Sequence, residues 1–330
     1  MSTGTKGPER AKPEWGKPSP AAKAAPAKGK AKAKGKPAAR AKGTAKGTAR
    51  PTGRGTAKAK ANAKGKSAPR RKGPRRQSSL RQRYGVVHDT NGPRVRLGAL
   101  WFLVAFVAIA AGPMATALVY GSVAAVAAAQ MARVWGRGTP QPSDVMAAGG
   151  AALIAGGACF GGGGAGLGIL GAVALAFVAA AGDHRSRNPR IADIGWTLQC
   201  ALVPGIVAMS LVLLTRLDQG SAISLLVLVS VYETGDYLIG SGSTNPFEGP
   251  AAGVAAIVVI TFIVSTLPIS ALSFGEAWLF GGLVAVLAPA GQLLASAFLP
   301  EATSPASALR RLDSLLLTAP VWAWGVGLVL

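Results

Sequence analysis

Histidine and cysteine are nearly missing from this chain of 330 residues, with two of each. His88 and His184 both sit among polar neighbours, so a histidine-based metal or catalytic cluster is excluded. Cys159 and Cys200 both fall inside apolar segments, where a small buried hydrophobe is the expected role rather than a disulfide or zinc ligand. Lysine is absent after Lys72, so beyond that point arginine alone supplies side-chain charge against a phosphate. Acidic residues are scarce throughout, 13 against 36 lysines and arginines. No apolar run precedes Leu97, and the start of the chain therefore does not read as a secretory signal.

What is present divides into two bodies with opposite physics. Residues 1–98 hold 28 of the 36 basic residues and only Glu9, Glu14 and Asp89, a charge of +25, whereas the remainder holds 8 arginines against 10 acids, or −2. Residues 1–80 are built from Ala, Lys, Gly, Pro and Thr in near-repeats such as AKGTAKGTARPTGRGTAKAKANAKGK, which cannot bury enough apolar surface to fold and are expected to be disordered. Such a tail can release counterions from nucleic acid, or sit on anionic lipid at about 1 kcal/mol per basic residue near the surface. It can equally be a solvated segment that fixes membrane topology. Residues 81–96, with Tyr84, Val86, Val87 and the turn signal Asn91-Gly92-Pro93, read as a juxtamembrane collar.

From Leu97 onward, runs of Ala, Val, Leu, Ile and Gly reach the roughly 20 residues that a bilayer-crossing helix needs. The expected fold class is an all-α polytopic membrane domain over 97–330, with nine spans near 97–111, 114–132, 144–160, 165–181, 191–214, 221–239, 251–270, 277–299 and 314–330. The first two are joined only by Gly112-Pro113 and read as a hairpin, because that returns Arg133 and Arg137 to the side of the basic tail. Gly161–Gly164 and Thr215–Gly220 read as turns. Nine spans put seven of the eight later arginines on one side, Arg216 excepted, which predicts a multi-pass protein of the cell membrane with a cytoplasmic N-terminus and an external C-terminus. Small residues in nearly every span allow close helix approach and leave room for a homodimer.

One segment interrupts the apolar pattern with acids, Val231 to Gly253, VYETGDYLIGSGSTNPFEGPAAG. Glu233 and Asp236 stand three apart at the end of an apolar run and share a helix face. Carboxylates are costly in a bilayer, so such residues face a cavity, a partner or the aqueous edge. The following loop, Gly240 to Pro250, offers hydroxyls, an amide and backbone N–H groups at a new helix start, suited to a polar headgroup or phosphate. It is also readable as a tight turn with Glu248 satisfied in the first helical turn.

Four short segments in the last third of the chain resemble the phosphatidate cytidylyltransferase (CDP-diacylglycerol synthase) family of polytopic membrane enzymes. Glu233-Thr-Gly-Asp-Tyr237 resembles the family's D-x-G-A-Y, and Ser243-Thr-Asn-Pro-Phe-Glu-Gly249 its S-P-x-K-T-x-E-G. Ala290-Gly-Gln-Leu-Leu-Ala-Ser296 resembles G-D-L-x-E-S, and Ala308-Leu-Arg-Arg-Leu-Asp-Ser314 resembles the H-G-G-x-L-D-R-x-D-S that precedes the last span. The resemblance implies a CDP-diacylglycerol-synthase-like bundle. It implies catalytic candidates in Asp313, Glu233 and Asp236, a Mg²⁺ ligand in Asp313, and substrate contacts from Tyr237, Ser243, Thr244, Asn245, Glu248, Arg310, Arg311 and Ser314.

The departures weigh as much as the matches. Gln292 stands for the family's aspartate, Ala295 for its glutamate and Arg310 for the first aspartate of D-R-x-D, while Asn245 and Pro246 replace K-T. Nucleotidyl transfer depends on metal clamping and stabilisation of developing charge. The expectation is therefore a non-catalytic relative that binds phospholipid or serves as a membrane platform for its tail. In it, Arg310 fills part of the metal position and pairs with Asp313 or Glu233. The alternatives are an active, Mg²⁺- and CTP-dependent cytidylyltransferase using Arg310 and Arg311 on phosphates, and a small transporter with Glu233 and Asp236 as an ion-coupling pair.

Overall fold

Long apolar runs can hold their backbone polar groups only by forming helices in a bilayer, and the chain does so. A computed structural model describes residues 94–137, 141–182, 191–243, 245, 247–267 and 272–330. The basic tail, nearly all of the collar, the 183–190 loop with His184, and Thr244 lie outside the described residues. Among the described residues there are nine α-helices and no strand. They are α1 (Arg94–Ala110), α2 (Pro113–Trp135), α3 (Asp144–Gly157), α4 (Gly161–Gly182), α5 (Ile191–Leu217), α6 (Gln219–Gly240), α7 (Glu248–Thr266), α8 (Phe274–Ala297) and α9 (Leu315–Val329). Six helical stretches are long and apolar enough to cross a membrane, with α3 and α4 forming one of them, whereas α1 and α9 are shorter apolar helices. The protein is a multi-pass membrane protein.

Two glycines turn the chain where no other residue type sits comfortably. Gly112 (φ 105°) closes the α1–α2 hairpin, and Gly161 (φ 85°) turns the chain between α3 and α4. In the first hairpin the edge of Trp101 meets Tyr120 with ring centroids 5.6 Å apart. In the second, Gly157 and Gly164 approach backbone to backbone so closely that a Cβ on either would strike the other's carbonyl. The expected flexible turn over Gly161–Gly164 is therefore confined to one residue. Gly162–Gly164 continue as helix, since packing against α3 outweighs their weak helix propensity.

The expected turn over Thr215–Gly220 also shrinks. Thr215 Oγ1 donates to Leu211 O at 2.7 Å and Arg216 Nη1 reaches Cys159 O at 2.5 Å, so α5 runs on to Leu217. Asp218 then caps α6 by accepting from Ser221 N–H at 2.7 Å. α7 begins at Glu248, with Pro250 tolerated in the first turn, where a helix has no N–H to satisfy. α8 opens on a capping box in which Ser273 and Glu276 satisfy each other's N–H groups.

Helix α2 packs on α3 and α5, α6 lies along α7, and α9 contacts both α5 and α8. The core holds Tyr120, Met131, Ile154, Leu211, Leu225, Tyr232 and Phe280, all fully buried, among many alanines. Between α8 and α9 the chain alternates exposed residues, Glu301, Thr303, Pro305 and Ser307, with residues that fold in. Ala306, Leu309, Leu312 and Ser314 are all buried, with a single 3-10 turn at Leu309–Arg311.

Candidate functional site

The site is assembled from α6, α8 and the 300–314 segment, with α2 behind it. Along α6 the residues Leu225, Leu228, Val229, Tyr232 and Asp236 recur at three- and four-residue intervals and are all buried. That periodicity carries Asp236 to the interior one turn beyond Tyr232. On α8 the buried face includes Ala288, Gly291, Gln292, Ala295 and Ser296. The two faces join through a hydrogen-bonded chain: Tyr232 OH donates to Gln292 Oε1 at 3.2 Å, and Gln292 Nε2 donates to Asp236 Oδ2 at 3.2 Å.

Arg310 and Asp313 enter from the folded segment. Arg310 Nη1 lies 3.8 Å from Asp313 Oδ2 and donates to Ser296 Oγ at 3.0 Å, while Nη2 donates to Ala302 O at 2.7 Å. Asp313 Oδ1 accepts from Ser314 N–H at 2.8 Å, with Ser314 Oγ at 3.4 Å. Asp313 also acts electrostatically on Glu233. Burial pushes the Asp313 carboxyl up to about 6, against the pull of Arg310 and Ser314 and with that of Asp236. Burial also lowers the Arg310 guanidinium, which Asp313 raises. Arg311 is half-buried and acts electrostatically on Glu233.

Glu233, Asp236, Asp313, Ser314, Arg310 and Arg311 are thus brought together. The loop residues are not brought in with them. Ser243 Oγ lies 2.6 Å from Glu248 Oε2 and accepts from Asn245 N–H at 2.9 Å, and Asn245 Oδ1 accepts from Phe247 N–H at 3.1 Å. Glu248 and Asn245 are exposed, so this loop satisfies its own groups in a closed turn. Tyr237 is half-buried, with its carbonyl accepting from Ser241 N–H. Gly249, at the start of α7, packs against the cluster so closely that a Cβ there would collide with the Asp236 carboxylate.

Two tyrosines belong to the site that sequence reasoning did not assign to it. Tyr232 opens the chain to Gln292. Tyr120, fully buried on α2, feels the charge of Glu233, and its hydroxyl has no hydrogen-bond partner among the described residues. The chain has only four tyrosines, and one standing within an apolar span was the available signal.

The Mg²⁺ that the resemblance implies does not fit these residues. A hard divalent ion wants several oxygen ligands, but Asp313 faces a guanidinium and Asp236 already accepts an amide N–H. Among the described residues no three His, Cys, Asp or Glu side chains are grouped to hold a metal ion. No protein-family model, curated protein or solved structure matches the chain.

Proposed function

We propose that this protein is a non-catalytic relative of phosphatidate cytidylyltransferases that binds phospholipid in its membrane domain and holds its basic tail at the membrane surface. In this reading the chain crosses the cell membrane nine times, with a cytoplasmic N-terminus and an external C-terminus. The observation that carries it is the internal pairing of the site's carboxylates: Arg310 with Asp313, and Gln292 with Asp236. Those are the groups that metal-assisted nucleotidyl transfer would need unpaired. The Arg311 guanidinium makes no hydrogen bond or close ion pair among the described residues, is half-buried and acts electrostatically on Glu233, which makes it the group most open to a lipid phosphate.

The test is an assay of the purified protein with CTP, phosphatidate and Mg²⁺, run beside lipid binding in nanodiscs. CDP-diacylglycerol should not form, and phosphatidate should co-purify with the wild type but less with Arg311→Ala. Turnover that requires Mg²⁺ and disappears in Asp313→Ala would overturn this reading in favour of an active cytidylyltransferase.

A further inference from the structure

Three helices carry the same spacing between groups that belong at a membrane boundary. At one end Arg133 Nε bonds Asp144 Oδ2 at 2.8 Å, Trp135 packs on Trp196 with ring centroids 4.1 Å apart, and Trp135 Nε1 donates to Phe298 O at 2.9 Å. Arg133, Trp196 and Phe298 therefore share one level. At the other end Arg216 Nη1 donates to Cys159 O, Cys159 Sγ donates to Pro113 O, and Gly327 sits beside Leu217. A Cβ at Gly325 would meet the Phe280 ring, so Trp278, two residues nearer that end on α8, stands close to the level of Arg216. Pro113 to Arg133 on α2, Trp196 to Arg216 on α5 and Trp278 to Phe298 along α8 are each twenty residues apart. At about 1.5 Å per residue that is about 30 Å, the thickness of the hydrocarbon core. Tryptophans and charged groups are what its two edges favour.

Measured against these planes, α9 starts too late. It has 15 residues, about 22 Å, and does not reach across by itself. The missing part of the crossing falls to 298–314, which holds no α-helix and one 3-10 turn. Gln130, three residues inside the Arg133 level, accepts the Ala308 N–H at 2.9 Å and donates to Ser307 Oγ at 3.4 Å. Gly291, seven residues inside the Phe298 level, lies so close to the segment that a Cβ would strike the Asp313 carbonyl. Residues 307–313 thus run about 4–10 Å inside the boundary. Added to the length of α9, that depth completes the crossing.

We propose that 298–314 is a re-entrant segment, entering the bundle from the Arg133 end and turning at Asp313 into the half-length helix α9, with its exposed edge facing water. Irregular backbone at membrane depth persists only where it is buried in protein or lines a water-filled cavity. Ala302, Ala306, Leu309 and Leu312 meet the first condition. Ser307, exposed at the depth of Gln130, meets the second, because a hydroxyl on an open turn is poorly matched to lipid chains. The inference goes beyond the proposed function and depends neither on phospholipid binding nor on which end is cytoplasmic.

The experiment uses the full chain in nanodiscs, in a background lacking Cys159 and Cys200, with single cysteines in place of Ser307 and Leu293. Leu293 is 46% exposed on α8 and lies five residues inside the Phe298 level, at a depth comparable with that of Ser307. Both positions are exposed, so neither substitution opens the core. Ser307→Cys should react with a permanently charged thiosulfonate at least about tenfold faster than Leu293→Cys, because hydrocarbon excludes the charged reagent. A nitroxide on Ser307→Cys should be relaxed more by a water-soluble nickel chelate than by oxygen, and one on Leu293→Cys the reverse. In sealed vesicles Ser307→Cys and Arg133→Cys should react from the same side.

Equal reaction at Ser307→Cys and Leu293→Cys would make 298–314 a surface loop and overturn the inference. Relaxation dominated by oxygen at Ser307→Cys would overturn it too, by placing the turn against lipid, as would reaction of Ser307→Cys and Arg133→Cys from opposite sides. A shared side that proves external would leave the re-entrant segment standing and strike only the orientation in the proposed function.

Discussion

Asp313 carries the most legible conflict at the scale of single residues. Its carboxyl is pushed up to about 6 by burial and by Asp236, while Arg310 and the Ser314 N–H and hydroxyl resist. Arg311, Glu233 and Tyr232 also face this cluster. The folded-state value lies above the usual aspartate value of about 3.9, so the native protein binds more protons than the unfolded chain between roughly pH 4 and pH 6. Linkage then makes Asp313 a group whose contribution to stability falls as pH rises through that window, with the penalty complete above pH 6. Tm in detergent should accordingly be higher at pH 4.5 than at pH 7, and Asp313→Asn should flatten that slope. A variant with the wild-type slope would assign the dependence to other carboxylates. At neutral pH Asp313 is ionised despite its burial, which is why Arg310 is needed beside it.

Helix pairs rather than single groups set the geometry of the hydrogen-bonded chain. A Cβ at Gly253 on α7 would lie 2.6 Å from the Tyr232 ring and 2.8 Å from the Tyr232 carbonyl, so the α6–α7 contact fixes the residue that begins the Tyr232–Gln292–Asp236 chain. Gly253→Ala is expected to cost about 1–3 kcal/mol, the range for overpacking a close contact. Gly282→Ala, at a position with nothing within 4 Å, should be close to neutral. Thermal melts of the two variants give the comparison, and equal Tm values would show that the α6–α7 contact can open without penalty. The helices themselves were legible because apolar runs bounded by Gly112, Asp218 and Ser273 allow little else in a bilayer. Where α5 ends was not legible, because the sequence Thr215-Arg216 looks like a turn until Cys159 O is placed beside the guanidinium. Glu233 and Asp236 stood out as charges at the end of an apolar run, and Arg310 through the resemblance of Ala308–Ser314 to a family segment. The burial of Leu309, Leu312 and Asp313 depends on helices distant in sequence, and no local pattern announces it.

The whole molecule has two ends of different character, and they bear on its orientation. At one end Pro113, Cys159 and Arg216 lie near one another, and Gly327 of α9 sits beside Leu217. At the other, Trp135 packs at a tilt on Trp196, Gln141 meets Asp193, and Gln130 meets Ser307 and Ala308. Helix α1 runs toward the first end and α9 finishes there, so the described bundle begins and stops at opposite ends. The basic residues are divided in the same sense, because Arg133 and Arg137 follow the far end of α2 and residues 1–98, with their charge of +25, precede or begin α1. In the proposed orientation that charge stays on the cytoplasmic side, where anionic lipid and a negative-inside potential both favour it, and nine crossings would then put Leu330 outside. In a background lacking Cys159 and Cys200, Leu330→Cys should therefore react with an impermeant maleimide on intact cells. Arg187→Cys, in the loop rich in arginine, should react only after permeabilisation. Labelling of both positions from one side would sink the nine-span arrangement, and with it the placement of the basic tail on the cytoplasmic surface.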